Sequence, residues 1–395
     1  MKPILILITG VILLTQTILI FGQVQPFSKT GTPLKFEEIF IDPVIDKEQT
    51  FKFSEFFSDY LIIPLETNNE SLIGHINEVK LSNDTFFIFD KSLKTIFLFS
   101  KNGKYLSKIC KLGKGPGEYL NPVNFELNTR KREITIFDWN SQKLIKYNYR
   151  GDFISEISIG NRYYDFVEYS NSYFFFINTS INRENSPVYM LNHYNSTGKL
   201  ISKNFSSYDY SYGFRNREVN SNGYFYSDND KLIFSMPFSD TIYTINDRGV
   251  FPYIILNTEK YKITKEEIES LKSGVDIRTI KKLYNINSYG EFNNSCFFKF
   301  LIGKIYYITV YNKRLKEIIC SSDRDNDLAF IYPDINMISR DKFIGIINES
   351  LFPKLKELVS NGKINVSKII TGNVDNIKPD DNPLLIIYYV KKDKN

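Results

Sequence analysis

The sequence predicts an all-β protein built as a propeller, and three observations predict it: an aromatic composition, a repeat whose anchors recur 48 residues apart, and four strand patterns within each repeat. Of the 395 residues 42% are hydrophobic, and Phe (33) and Tyr (27) stand, with Ile, where Ala and Leu would fill helices. That balance favours strands and supplies enough apolar surface for a core.

The repeat has two independent anchors. Phe87-Ile88-Phe89-Asp90 is echoed by Ile134-Thr135-Ile136-Phe137-Asp138, which places Asp90 and Asp138 48 residues apart. Phe99-Ser100-Lys101-Asn102-Gly103-Lys104-Tyr105 is echoed by Tyr147-Asn148-Tyr149-Arg150-Gly151-Asp152-Phe153, again at 48 between glycines. A third copy of this anchor carries Gly198 within 193–200, and a weaker fourth carries Gly249 within 245–251. Periods of ~40–50 residues with four strands per unit mean propeller blades. In the first unit the strands read as 76–81, 85–90, 95–100 and 105–111, with Ser82-Asn83-Asp84 and Lys101-Asn102-Gly103 as hairpin turns. Glycine recurs at the second turn because it reaches positive φ at no steric cost, a structural role.

Later units are less regular and hold two helical insertions. In 261–273, Thr264 stands as a helix cap before Glu266 and Glu267, Ile263, Ile268 and Leu271 share one side, and Gly274 stops the run. In 348–360, Leu351, Leu355 and Leu358 fall at helical spacing before Asn361-Gly362. Between them strand patterns return, and the last strand, 384–391, precedes a charged tail at 392–395.

The amino terminus reads as an export signal. Lys2 precedes an apolar run from Ile4 to Phe21, and Gly22 then offers a small residue for cleavage. The expected organisation is a signal at 1–22, an extended lead-in at 23–59, and the propeller at 60–391. The run is nearly long enough to span a bilayer, so an uncleaved anchor is the alternative. No cysteine lies near it to carry a lipid, since the first is Cys110. A monomeric periplasmic or secreted protein is expected, because a closed propeller needs no partner to cover its edges.

Lys plus Arg (50) exceeds Asp plus Glu (45) by a net +5 spread without a basic run, which sets nucleic-acid binding aside. Two histidines, His75 and His193, and three cysteines, Cys110, Cys296 and Cys320, are too scattered for a zinc cluster. No metal or cofactor is expected. Cys296 and Cys320 could form a bridge or serve as small buried apolar residues.

Several stretches carry a family resemblance: Ile63-Pro64-Leu65-Glu66-Thr67 with Leu72-Ile73-Gly74, Gly113-Lys114-Gly115-Pro116-Gly117-Glu118-Tyr119, Phe238-Ser239-Asp240-Thr241-Ile242-Tyr243, and Asp381-Asn382-Pro383-Leu384-Leu385. In this order they resemble the secreted and lipoprotein six-bladed β-propellers of Bacteroidota, which look like NHL-type propellers. The resemblance implies six blades and carries no activity. The missing lipid-bearing cysteine departs from many members.

Candidate site residues follow from chemistry. Gly113 to Glu118 could cradle an anion, but Pro116 offers no amide and strands flank the loop, so a corner between blades is the favoured reading, with Glu118 and Tyr119 at the rim. Asp90 and Asp138 end equivalent strands, and a ring of such carboxylates could bind a cation or sugar hydroxyls, although Asp also caps turns. Tyr208, Tyr210, Tyr212 and Arg215 lie in a Tyr-Ser-Gly-rich segment with the composition of an adaptable recognition loop. His193 replaces an aromatic strand residue, which favours packing. No Gly-x-Ser-x-Gly elbow occurs. The expected function is a non-catalytic, exported binding or scaffold module for a glycan, a peptide or a cell-envelope protein. The alternative is a hydrolase or lyase with carboxylates converging at the central channel, which no sequence spacing reveals.

Overall fold

A computed structural model describes residues 36–177, 188–206, 223–228, 230–370 and 374–392. Its strands form six four-stranded antiparallel units. Blades 1 to 5 span 78–109, 122–158, 165–206, 225–257 and 283–321, and blade 6 joins 335–390 to Phe57–Pro64. The first strand of each blade lines the axis, and neighbouring first strands touch around the ring.

The apolar runs explain this arrangement. Thr85–Asp90 is buried on both faces, as a strand sandwiched between two blades must be. Phe86 and Ile88 point into the core shared with blade 6, while Phe87 and Phe89 point into the core shared with blade 2, the period-2 alternation of a strand. A separate hydrophobic cluster fills each of the six blade-to-blade interfaces. The ring thus has no central apolar core. Its cohesion lies between blades, and its axis is free to be polar.

The glycine turns repeat in atomic detail. Gly103, Gly151 and Gly198 adopt φ of +77°, +82° and +80°, and each donates its amide to the carbonyl of Ser100, Asn148 or Asn195 three residues earlier. Asn148 and Asn195 also accept two backbone amides each on Oδ1.

The ring closes where the chain ends meet. Phe57–Pro64 pairs antiparallel with Leu384–Val390. The preceding segment does more than lead in. Glu37–Phe40 adds a parallel fifth strand to blade 4, Thr50–Lys52 pairs with Asp323–Asp325, and short helices Asp42–Ile45 and Phe53–Phe56 sit beside them.

The two insertions are helical at Lys265–Lys272 and Phe352–Ser360. Thr264 Oγ1 accepts the Glu267 amide and Glu267 accepts the Thr264 amide at 2.8 Å, a reciprocal cap. Phe352, Leu355 and Leu358 bury against the core between blades 5 and 6. Cys296 and Cys320 are buried free thiols, and burial pushes both up to about 12. Among the described residues no helix is long and apolar enough to cross a membrane.

Candidate functional site

The first strands of the blades put charge on the axis. Glu78 and Lys80 stand two apart on Glu78–Ser82 and therefore face the same side. Lys80 Nζ lies 3.2 Å from Glu78 and 2.9 Å from Glu126 of blade 2, and 5.3 Å from the centre of the Phe125 ring. Glu78, Asn124 and Asp165 occupy equivalent rungs of blades 1, 2 and 3, opposite Phe89, Phe137 and Phe176. Asn124 Nδ2 donates to Asp165, and Asp165 is 4% exposed.

Burial dominates the electrostatics. It raises the carboxyl of Glu126 to about 7 against the pull of Lys80. It raises Asp165 to about 7 as well, helped by the charges of Glu78 and Glu126. Burial also raises Glu78. For Lys80 burial acts downwards, but the two glutamates outweigh it and hold the ammonium charged. Among the described residues one cation thus serves three carboxyls, and Glu78 Oε2 is a buried acceptor with no partner.

Glu78, Lys80 and Glu126, but not Asn124 or Asp165, border a cavity of about 420 Å³ on the axis. Glu78, Lys80 and Glu126 form one side, while Phe225, Tyr226 and Tyr289 from blades 4 and 5 stand across the ring. Asp334 and Asn336 of blade 6 complete the rim and bind the Lys299 ammonium at 2.8 and 3.1 Å.

Beyond the cavity, Glu291 collects Lys231 and Lys313, each at 3.0 Å, together with the Tyr253 and Tyr289 hydroxyls. Burial alone would raise Glu291, but these donors bring it down to about 2. The network ties blade 4 to blade 5, and every one of its groups is partnered.

The residues picked out from sequence lie elsewhere. Asp90 and Asp138 are both 0% exposed. Asp90 accepts the Gly74, His75 and Leu93 amides and the Ser92 hydroxyl. Asp138 accepts the Leu120, Asn121 and Ser141 amides. Each carboxylate thereby fastens the strand entering its blade to the turn after the second strand, and neither borders the cavity. Tyr119 is 1% exposed, with its hydroxyl on the Lys94 and Ile109 carbonyls. Glu118 is exposed and accepts the Gly115 amide at 2.8 Å within the corner joining blades 1 and 2. Tyr208, Tyr210, Tyr212 and Arg215 lie outside the described residues. His193 stacks on Phe174 at 4.3 Å, and burial lowers its pKa.

Comparison with known proteins fits this architecture. A family model described as a domain of unknown function, DUF4934, matches residues 36–389. The chain belongs to the DUF4934 family. Among solved structures it is similar to one named "Putative exported protein" from Bacteroides fragilis, at 17% identity and a TM-score of 0.70, covering 87% of this chain and 99% of that one. It is also similar to a member of the duf4221 family from Bacteroides vulgatus, at 13% identity and a TM-score of 0.49, covering 85% and 97%. At such identities the first likeness speaks to the fold alone, and the second carries no argument. A comparison with curated proteins found no match.

Proposed function

We propose that this DUF4934 protein is an exported binding propeller that takes a small polar ligand, or the polar end of a larger one, in its axial cavity. The observation that carries the reading is the convergence of Glu78, Lys80 and Glu126, from two blades, on an open cavity of about 420 Å³. Pockets of roughly 300–1,000 Å³ with a few convergent polar groups are the usual form of a small-ligand site. Export rests on the apolar run after Lys2 and on the name of the similar Bacteroides fragilis protein. A glycan, a free peptide end or a protruding side chain of an envelope protein would each fit this description.

Binding ranks above catalysis because Lys80 bridges the two glutamates, which fixes them as a recognition surface. The hydrolase or lyase reading keeps one specific support: Glu126 titrates at about 7, where a general acid or base works best. Glycan and peptide arrays probed with the purified protein test both readings, with Ser227→Trp as a plug at the exposed cavity edge. The binding reading expects retention of intact array members that the plug abolishes. Retention indifferent to the plug overturns it, and product release abolished by Glu126→Gln replaces it with the enzyme.

A further inference from the structure

The axial cavity is polarised across the ring, and that asymmetry goes beyond the existence of a site. Blades 1 and 2 bring Glu78 and Glu126 to its wall, Asp165 of blade 3 adds a third carboxyl off the wall, and among the described residues Lys80 is their one cation. The ammonium groups of Lys146 and Lys299 are committed elsewhere, Lys146 to Glu168 at 3.0 Å and Lys299 to Asp334 at 2.8 Å. Blades 4 and 5 bring Phe225, Tyr226 and Tyr289 to the other side. The hydroxyls of both tyrosines are engaged, Tyr226 with Asp228 and Tyr289 with Glu291, so toward the cavity these side chains offer aromatic surface rather than donors. Glu78 borders the cavity, and its buried Oε2 has no hydrogen-bond partner among the described residues.

A buried carboxylate oxygen without a donor is costly, and a hydrogen-bond donor bearing positive charge is its strongest complement. An ammonium group also neutralises the acidic excess and is attracted to aromatic faces. An anion would have to displace the two glutamates that already hold Lys80. A neutral hydroxyl would leave the charge imbalance in place.

From this geometry we infer that the axial cavity selects a ligand carrying an ammonium group on an apolar body, with the ammonium at the Glu78 and Glu126 carboxyls and the body against Phe225, Tyr226 and Tyr289. This rests on the reading of the cavity as the binding site. The class includes aryl- and alkylamines and the side chain of lysine presented on a chain.

Three probes of one skeleton and different charge test it: 2-phenylethylamine, 2-phenylethanol and phenylacetate, titrated calorimetrically into the purified protein at neutral pH. The amine should bind at least about tenfold tighter than the alcohol, the equivalent of one favourable charged contact, and phenylacetate should bind weakest. Glu78→Gln should remove the preference by weakening the amine and leaving the alcohol unchanged. Equal binding of amine and alcohol, or a preference for phenylacetate, overturns the ammonium inference while leaving an axial site. Absence of binding by all three at millimolar concentration overturns the inference too, and the array experiment with Ser227→Trp then decides the broader reading alone. Should Glu78→Gln fold poorly, the three-probe comparison on the unaltered protein stands without it.

Discussion

Gly103 illustrates how a single residue in the turn of a blade ties that blade to its neighbour. Its φ of +77° already disfavours a side chain, and a Cβ there would lie 2.0 Å from the Pro64 carbonyl oxygen of the closing strand. Gly160 has nearly the same φ, +71°, with nothing within 4 Å of such a Cβ. The pair separates strain from contact. Gly160→Ala should cost about 1 kcal/mol for the left-handed backbone, and Gly103→Ala about 3 kcal/mol or more, because overpacking adds roughly 1–3 kcal/mol. Urea unfolding of the two variants checks the difference, and equal costs would mean that the close approach to Pro64 relaxes freely. The axial carboxyls make a second prediction at this scale. Glu126 and Asp165 hold their protons to about pH 7 when folded, against ordinary values near 4 in the unfolded chain. Their protonation therefore stabilises the fold fully below about pH 4, and that contribution is lost as pH rises towards 7. Glu291 acts in the opposite sense, since its lowered value supports the fold above its ordinary range and loses that support as pH falls towards 2. Thermal unfolding should thus show a midpoint that declines between about pH 4 and pH 7 and levels off above, and Glu126→Gln, neutral at every pH, should flatten the decline and raise the midpoint at pH 8. A midpoint that instead rises across this range would contradict the burial of these groups.

At the scale of the strand, what the sequence makes legible depends on turn length. The second and third strands of blades 1 and 2 keep the 48-residue register because the turn between them is constant, so Asp90, Asp138 and the glycine turns stand out. The turn between the first and second strands is not constant. It holds Asn83 and Asp84 alone in blade 1, but residues 129–132 in blade 2. Glu78 therefore matches Asn124 on the ladder, and Lys80 matches Glu126, a correspondence that the 48-residue spacing hides. The axis is lined by these first strands, so the periodicity that exposes the fold conceals the site. The aspartates it does expose are fastened to backbone amides, as residues at a repeated structural position often are. Two signals were within reach: Glu78-Val79-Lys80-Leu81 alternates polar and apolar side chains, and Asn124-Phe125-Glu126-Leu127 does the same, unlike the largely apolar strands beside them. The amino-terminal strand was less legible, because Glu37–Phe40 is short and pairs far away in sequence. Its burial yields a prediction. Ile39 is 3% exposed and packs in the core between blades 4 and 5, so Ile39→Asp should cost about 3 kcal/mol. Hydrogen exchange should quicken in Glu37–Phe40 and Gly249–Asn257 and stay unchanged in blades 1 and 2. Uniform quickening around the ring would show that this strand supports the whole molecule rather than one edge.

Over the whole molecule, closure decides how the blades share their stability. In an open array of repeats each unit touches only its neighbours, and stability is a sum of local terms that can be lost piecemeal from the ends. Here the first and last parts of the propeller form one sheet, Phe57–Pro64 beside Leu384–Val390, and every blade has an apolar interface on both sides. No blade is terminal, so losing one exposes two interfaces at once. The ring should therefore unfold in one step. The single tryptophan, Trp139, provides a local probe, because it sits on blade 2 under the Arg162 guanidinium at 4.3 Å, far around the ring from the seam. Urea unfolding followed by Trp139 fluorescence and by far-ultraviolet circular dichroism should give coincident curves. Replacing Ile386, 0% exposed in the closing strand, with Asp breaks the seam without touching blade 2. In that variant both curves should shift together to lower urea. If Trp139 keeps its original midpoint while the dichroism signal falls early, blade 2 stands by itself, and the propeller behaves as an opened array whose closure adds no cooperativity.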